Sequence, residues 1–209
     1  MKSIIETILA QNEISESKIS QILSCSCPKG IDYSDVYFEY SSSESWSIED
    51  GIVKNGTSII DSGVGIRSIS GEKTGFAYSN TFGLDNLLSA AKMSRSIASF
   101  GKEEPFSIRD NVNFKKLYSS SSPLEKVSDT VKVEFLKKID SYIRKKDNLV
   151  DQVIVNLAAS HTSMLVVNSD GMRAQDDRPL VRFNVMVILK KDKRLSLIHI
   201  SEPTRLSAI

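Results

Sequence analysis

Asp50-Gly51 and Asn55-Gly56 stand between runs of β-branched and aromatic residues, and no other feature restricts the fold as much. Such pairs are what a two-residue hairpin demands, because both central positions need positive φ. On their N-terminal side residues 35–40 alternate Val36, Phe38 and Tyr40 against Tyr37 and Glu39, and residues 46–48, 52–53 and 57–60 continue the pattern. This predicts a meander of short antiparallel strands. Residues 63–79 add a strand, a Gly-flanked four-residue turn and a second strand. Further strands are predicted at 150–160, 163–168 and 181–189, with Ser169-Asp170-Gly171 marking a hairpin into residues 172–174.

Helical spacing occupies the rest. Ile4, Ile5, Ile8 and Leu9, then Ile14, Ile19, Ile22 and Leu23, make two short amphipathic pieces, closed by Cys27-Pro28-Lys29-Gly30. Residues 82–99 carry a stripe of Leu84, Leu87, Leu88, Ala91, Met93 and Ile97. Residues 124–146 carry Leu124, Val127, Val131, Phe135, Ile139 and Ile143, with lysine and acid on the opposite face. The polar stretch 100–123 reads as a loop. Strands joined by hairpins and punctuated by helices predict an α+β domain: a mainly antiparallel sheet of short strands with two long helices packed on it.

The chain has 209 residues, 40% hydrophobic and 25% charged, with a mean hydropathy of −0.16, which excludes fibrous, disordered and coiled-coil classes. No apolar run approaches the ~20 residues of a spanning helix, no cleavable leader follows Met1, and a cytosolic protein is expected. Lys+Arg 27 against Asp+Glu 26 leaves +1, so no global field points to nucleic acid or to an anionic membrane. Cys25 and Cys27 are a C-x-C pair without the second ligand pair of a zinc site and read as free thiols at a helix end. His161 lacks a second imidazole nearby and reads as a strand-end surface or capping residue. Gly63-Val64-Gly65 has no third glycine, and Ile66-Arg67-Ser68-Ile69 continues as strand, so a dinucleotide loop is rejected. There is no phosphate-binding G-x-x-x-x-G-K motif and no G-x-S-x-G elbow, so no catalytic, cofactor or metal residue is assigned. Arg67, Glu72, Lys73, Arg178 and Arg182 are charged residues beside strands or turns, open to solvation, local pairing or contact with a substrate or subunit.

From Leu195 the periodicity is lost and Pro203 is expected to close off any regular element. Residues 195–205 (LSLIHISEPTR) resemble the translated transposase adapter of short-read sequencing libraries, so residues 195–209 are expected to be a non-native tail. The natural domain is then expected to be residues 1–194, which end where the DNA read stopped.

Residues 44–54 (ESWSIEDGIVK), Gly63-Val64-Gly65-Ile66-Arg67, residues 71–78 (GEKTGFAY), Asp170-Gly171 and residues 177–182 (DRPLVR) resemble the N-terminal domain of the TldD family of zinc metallopeptidases, over about residues 1–194. GEKTGFAY points to TldD rather than to its non-metal paralogue TldE, also called PmbA. The resemblance implies a cytosolic peptidase acting with a TldE/PmbA-like paralogue, as a heterodimer, on unfolded or extended peptides. It implies zinc held by H-E-x-x-x-H and a later cysteine, with the glutamate as general base, none of it within residues 1–194. Cys25 and Cys27 do not match the ligand cysteine, so the chain as given is expected to bind no zinc and to be inactive. Its role would be to wall the cleft and to present a sheet edge to a peptide, with Arg67, Glu72 and Tyr78 as candidate substrate or partner contacts. The alternative is a non-catalytic TldE-like partner or a stand-alone peptide-binding domain.

Overall fold

Two antiparallel meanders make up the sheet. In the computed structural model, which describes residues 4–97, 117–118, 122–124, 127–191 and 194–204, the first consists of β1 (Tyr33–Glu49), β2 (Ile52–Ser70) and β3 (Lys73–Ser79). The second consists of β4 (Val150–Asn168), β5 (Arg173–Lys191) and β6 (Arg194–Thr204). Their order is β3-β2-β1-β4-β5-β6. The Ser169 amide donates to the Ser34 carbonyl at 2.8 Å, and the Asp50 amide to the Val153 carbonyl at 3.0 Å, so β1 and β4 run in opposite directions. The helices are α1 (Ile4–Gln11), α2 (Glu16–Ser26), α3 (Leu84–Ser94) and α4 (Asp129–Arg144), with a 3₁₀ turn at Arg95–Ile97.

The hairpins obey local rules. Asp50 and Gly51 take φ of 51° and 73°, the two left-handed positions predicted for this pair. Ser70 faces Lys73 across Gly71-Glu72, so this turn has two residues rather than the four expected. Between β4 and β5 the Asn168 side-chain oxygen accepts from the Asp170 amide at 3.1 Å and the Met172 amide at 2.9 Å, which holds the predicted hairpin shut.

The α+β class with its antiparallel sheet stands, but the strands are long. β1 has 17 residues and β2, β4 and β5 have 19 each, so segments that read as separate strands are continuous. Asn55-Gly56 makes no turn. It lies inside β2, where a Cβ on Gly56 would come 2.7 Å from the Trp46 ring, so this glycine admits an indole rather than bending the chain. His161 is fully buried within β4, not at a strand end. β6 continues past Pro203 to Thr204, paired with β5 from Lys191↔Arg194 to Val181↔Thr204. An edge strand tolerates proline because one side of its backbone makes no ladder bonds.

The chain divides into two compact units, each with its own core. The first takes the described residues of Met1–Ser41, Asp61–Lys116 and Thr162–Asp177. There the predicted helical stripe is buried: Ile5, Leu9, Ile14, Ile19, Ile22 and Leu23 pack with Val36, Phe38, Val64, Ile66, Leu87, Leu165 and Val167. Each such side chain contributes roughly 1.5–3 kcal/mol by leaving water. Ser15 caps α2, its side chain accepting from the Lys18 amide at 3.4 Å. Hydroxyls then tie α2 to the sheet: Ser26 and Ser34 oxygens lie 2.6 Å apart, Ser34 donates to the Arg67 carbonyl at 2.7 Å, and Ser68 donates to the Ser26 carbonyl at 2.8 Å.

The second unit takes the described residues of Ser42–Ile60, Leu117–His161 and Arg178–Ile209. Its core is Ile48, Leu136, Val153, Val155, Val185 and Val187. Two long helices were expected; α3 has 11 residues, and among the described residues only α4, with 16, is longer. The expected face of α4 is also rotated. Val131 and Phe135 remain about half exposed, while Lys132 and Asp140 are buried beside Leu136. Burial of Lys132 is compensated by ion pairs to Glu44 at 2.7 Å and Asp129 at 3.3 Å. Most of the predicted 100–123 loop lies outside the described residues.

Candidate functional site

Strand alternation sends Ser34, Val36 and Phe38 of β1 into the first unit's core and leaves Tyr33, Asp35, Tyr37 and Glu39 on the opposite face. β2 does the same: Val64, Ile66 and Ser68 are buried, and Gly63, Gly65 and Arg67 alternate with them. β3 buries Gly75 and Ala77 and turns out Phe76 and Tyr78. Register places Phe76 against Arg67 and Tyr78 against Gly65.

Arg67 is held at one end of this face. Its guanidinium donates to Asp35 Oδ2 through both Nε, at 3.1 Å, and Nη2, and its central carbon lies 5.9 Å from the centroid of the Tyr33 ring. The hydrogen bond to Asp35 raises the Arg67 pKa above its usual range and outweighs partial burial. The Arg67 side chain is 46% exposed, so it is partnered and still reachable.

Next to this pair lies an open groove of about 400 Å³, lined by Tyr37, Glu39, Asp61, Ser62, Gly63, Val64, Gly65, Phe76, Tyr78 and Asn80. The glycines form its floor. A Cβ on Gly65 would meet the Phe76 ring at 3.2 Å, and one on Gly63 would meet the Ser79 carbonyl at 3.2 Å. Phe76 and Tyr78 are each 69% exposed, which is unusual for rings of that size. The Tyr37 hydroxyl donates to Glu39 Oε2 and touches the Met164 sulfur at 3.8 Å.

The structure thus puts Arg67 and Tyr78 on one face, while Glu72 and Lys73, both exposed, stand at the β2–β3 turn away from the groove. Arg178 and Arg182 belong to β5 in the other unit. Tyr37, Glu39, Asp61 and Phe76 escaped sequence reasoning. The alternation of residues 35–40 assigned Tyr37 and Glu39 to one face, but only the pairing of β1 with β2 brings them to the glycines.

Cys25 and Cys27 are buried, their sulfurs 3.8 Å from the Leu88 carbonyl and 3.7 Å from the Ile31 carbonyl. Burial raises the Cys27 pKa, Asp170 and Asp32 add to it, and a hydrogen bond from Ser169 opposes it. Among the described residues no three His, Cys, Asp or Glu side chains gather in a way that could hold a metal ion. The zinc implied by the resemblance does not fit these residues.

The description "PmbA/TldA metallopeptidase domain 1" fits residues 34–98, and "PmbA/TldA metallopeptidase central domain" fits residues 122–205. The chain belongs to the PmbA/TldD metallopeptidase family. It is 38% identical over 196 residues to a "Metalloprotease TldD homolog" of Buchnera aphidicola subsp. Schizaphis graminum, covering 93% of this chain and 40% of that one. It is 35% identical over 194 residues to the protein of the same name from Haemophilus influenzae, covering 92% and 40%. The chain therefore spans about 40% of the length of these PmbA/TldD relatives. Among solved structures its fold is similar to that of a candidate modulator of a DNA gyrase from Thermotoga maritima, with a TM-score of 0.71 at 19% identity, covering 91% of this chain and 43% of that one. It is similar also to TldE of Thermococcus kodakarensis, with a TM-score of 0.66 at 16% identity, covering 90% and 43%. At such identities these two structures speak for the PmbA/TldD fold alone. Among the described residues no helix is long and apolar enough to cross a membrane.

Proposed function

We propose that this chain is the peptide-handling, N-terminal part of a zinc-dependent TldD-type peptidase whose metal site lies in a further part of the polypeptide. The observation that carries the reading is the 38% identity, across 93% of the chain, to a protein named as a metalloprotease. β3 supports it. It is the edge strand of the described sheet, with Phe76 and Tyr78 turned outward, and an extended peptide would add to it as a further strand. In this reading the protein works in the cytosol beside a TldE/PmbA-like paralogue, and the chain alone neither binds zinc nor cleaves peptides. Residues 195–209 are read as adapter-derived, on the strength of the eleven-residue likeness, although residues 194–204 are paired with β5.

The genomic reading frame beyond the codon for Arg194 tests this directly. Continuation into H-E-x-x-x-H is the expected result. A frame that continues without the histidines supports the non-catalytic TldE-like alternative, and a stop codon after the codon for Ile209 refutes both the tail and the peptidase reading. In the extended, zinc-loaded protein, Arg67→Ala or Tyr78→Ala lowers kcat/KM for an unfolded peptide. Unchanged values in both variants would remove these residues from the substrate path.

A further inference from the structure

On β1 the same pair of residue types occurs twice on one face: Tyr33 with Asp35, then Tyr37 with Glu39. The first pair faces a cation. Arg67 lies over Tyr33 at 5.9 Å and donates to Asp35 at 3.1 Å. Further along β2 glycines stand at positions 65 and 63, so no side chain of β2 comes forward there as Arg67 does, and a groove opens beside Tyr37 and Glu39. Around that space stand the rings of Tyr37, Phe76 and Tyr78 and the carboxylates of Glu39 and Asp61, and no basic side chain is among the described lining residues.

We propose that this groove is a subsite for a basic side chain, a guanidinium or ammonium, carried by the peptide this face receives. The inference rests on the peptide-handling reading above. Ring faces and carboxylates together select a cation over a neutral group of the same shape, because a cation is drawn to the ring quadrupole and a carboxylate strengthens the hydrogen bond it accepts. Glycine at both positions lets the Phe76 ring and the Ser79 carbonyl lie close against β2, where a Cβ would come within 3.2 Å of each, and sends no side chain of its own into the groove. Exposure of Phe76 and Tyr78, each 69%, follows if their outer faces meet a ligand.

Calorimetric titration of the 209-residue chain with acetyl-Ala-Ala-Arg-Ala-Ala-amide, and with the same peptide carrying neutral citrulline for arginine, tests the subsite. The arginine peptide is expected to bind tighter, on the order of tenfold at low ionic strength, with the margin shrinking as salt rises. Glu39→Gln with Asp61→Asn should erase the margin while leaving citrulline binding unchanged, and Phe76→Ala should weaken the arginine peptide alone. Equal binding of the two peptides, no binding by either, or a margin that survives the double carboxylate substitution overturns the proposal. The same peptides with alternate backbone amides N-methylated separate it from strand addition on β3. If the arginine margin persists there, the subsite stands while edge pairing fails, and a genomic frame lacking H-E-x-x-x-H would leave the margin untouched.

Discussion

Lys132 and Glu44 form a buried ion pair, with Nζ 2.7 Å from one carboxylate oxygen and 2.8 Å from the other, and with 6% and 12% of the two side chains exposed. Removing one partner leaves a charge stranded, which costs about 3 kcal/mol or more, whereas replacing both with apolar residues is close to neutral. Lys132→Met should therefore lower stability to urea by roughly that amount, and Lys132→Met with Glu44→Met should recover most of it. Burial lowers the Lys132 pKa, but the bonds to Glu44 and Asp129 outweigh it and leave it above the usual 10.5. The stability linked to Lys132 protonation is thus fully present below about pH 10.5 and is lost as pH climbs through the raised value. An equal alkaline loss in the double variant would show that Lys132 is not its source.

Gly56 and the chain's single tryptophan make a second test. A Cβ at position 56 would lie 2.7 Å and 3.0 Å from two Trp46 ring carbons, so Gly56→Ala forces the indole away from the cluster around Ile48 and Val153. The expected cost is about 1–2 kcal/mol, and the emission maximum should move to longer wavelength as the ring meets water. An unshifted spectrum with unchanged stability would mean that the ring is not seated there.

Thiol reactivity checks the first unit's core. Cys25 and Cys27 are 3% and 8% exposed, and burial, the largest influence on Cys27, raises its pKa. A raised pKa means less thiolate at pH 8. Both thiols should react with Ellman's reagent at least about tenfold more slowly in the native chain than in urea. Equal rates would contradict their burial.

What sequence could and could not disclose follows from which interactions are local. α2, with its Pro28 stop, was legible because 3.6-residue periodicity and proline's lack of an amide donor act within a few residues, whereas its Ser15 cap emerged only with the structure. Asp50-Gly51 was legible because positive φ is a property of the turn itself. Asn55-Gly56 carried the same letters to a different purpose, and only the cross-strand neighbour Trp46 reveals which. α4 misled because Lys132 reads as solvent-facing until its partner Glu44, 88 residues away, is known. The length of β1 was hidden by Ser41-Ser42-Ser43, a polar run that pattern reading takes for a break. Arg67 could be picked out as a charged residue beside a strand and Tyr78 only through the family resemblance, but the groove that gathers Tyr78 with Tyr37 and Glu39 is a product of strand pairing, which alternation alone does not fix.

Pairing of β1 with β4 has a consequence for biosynthesis. Ser34 and Ser169, bonded across that junction, are 135 residues apart in sequence. At about 5–20 residues per second the ribosome completes β1, β2 and β3 well before β4 exists, and the inner border of β1 waits on the order of ten seconds for its partner. During that interval the nascent chain carries a finished hairpin array with one long, sticky flank, and whatever shields that flank in the cell decides how much of the protein is ever made in usable form.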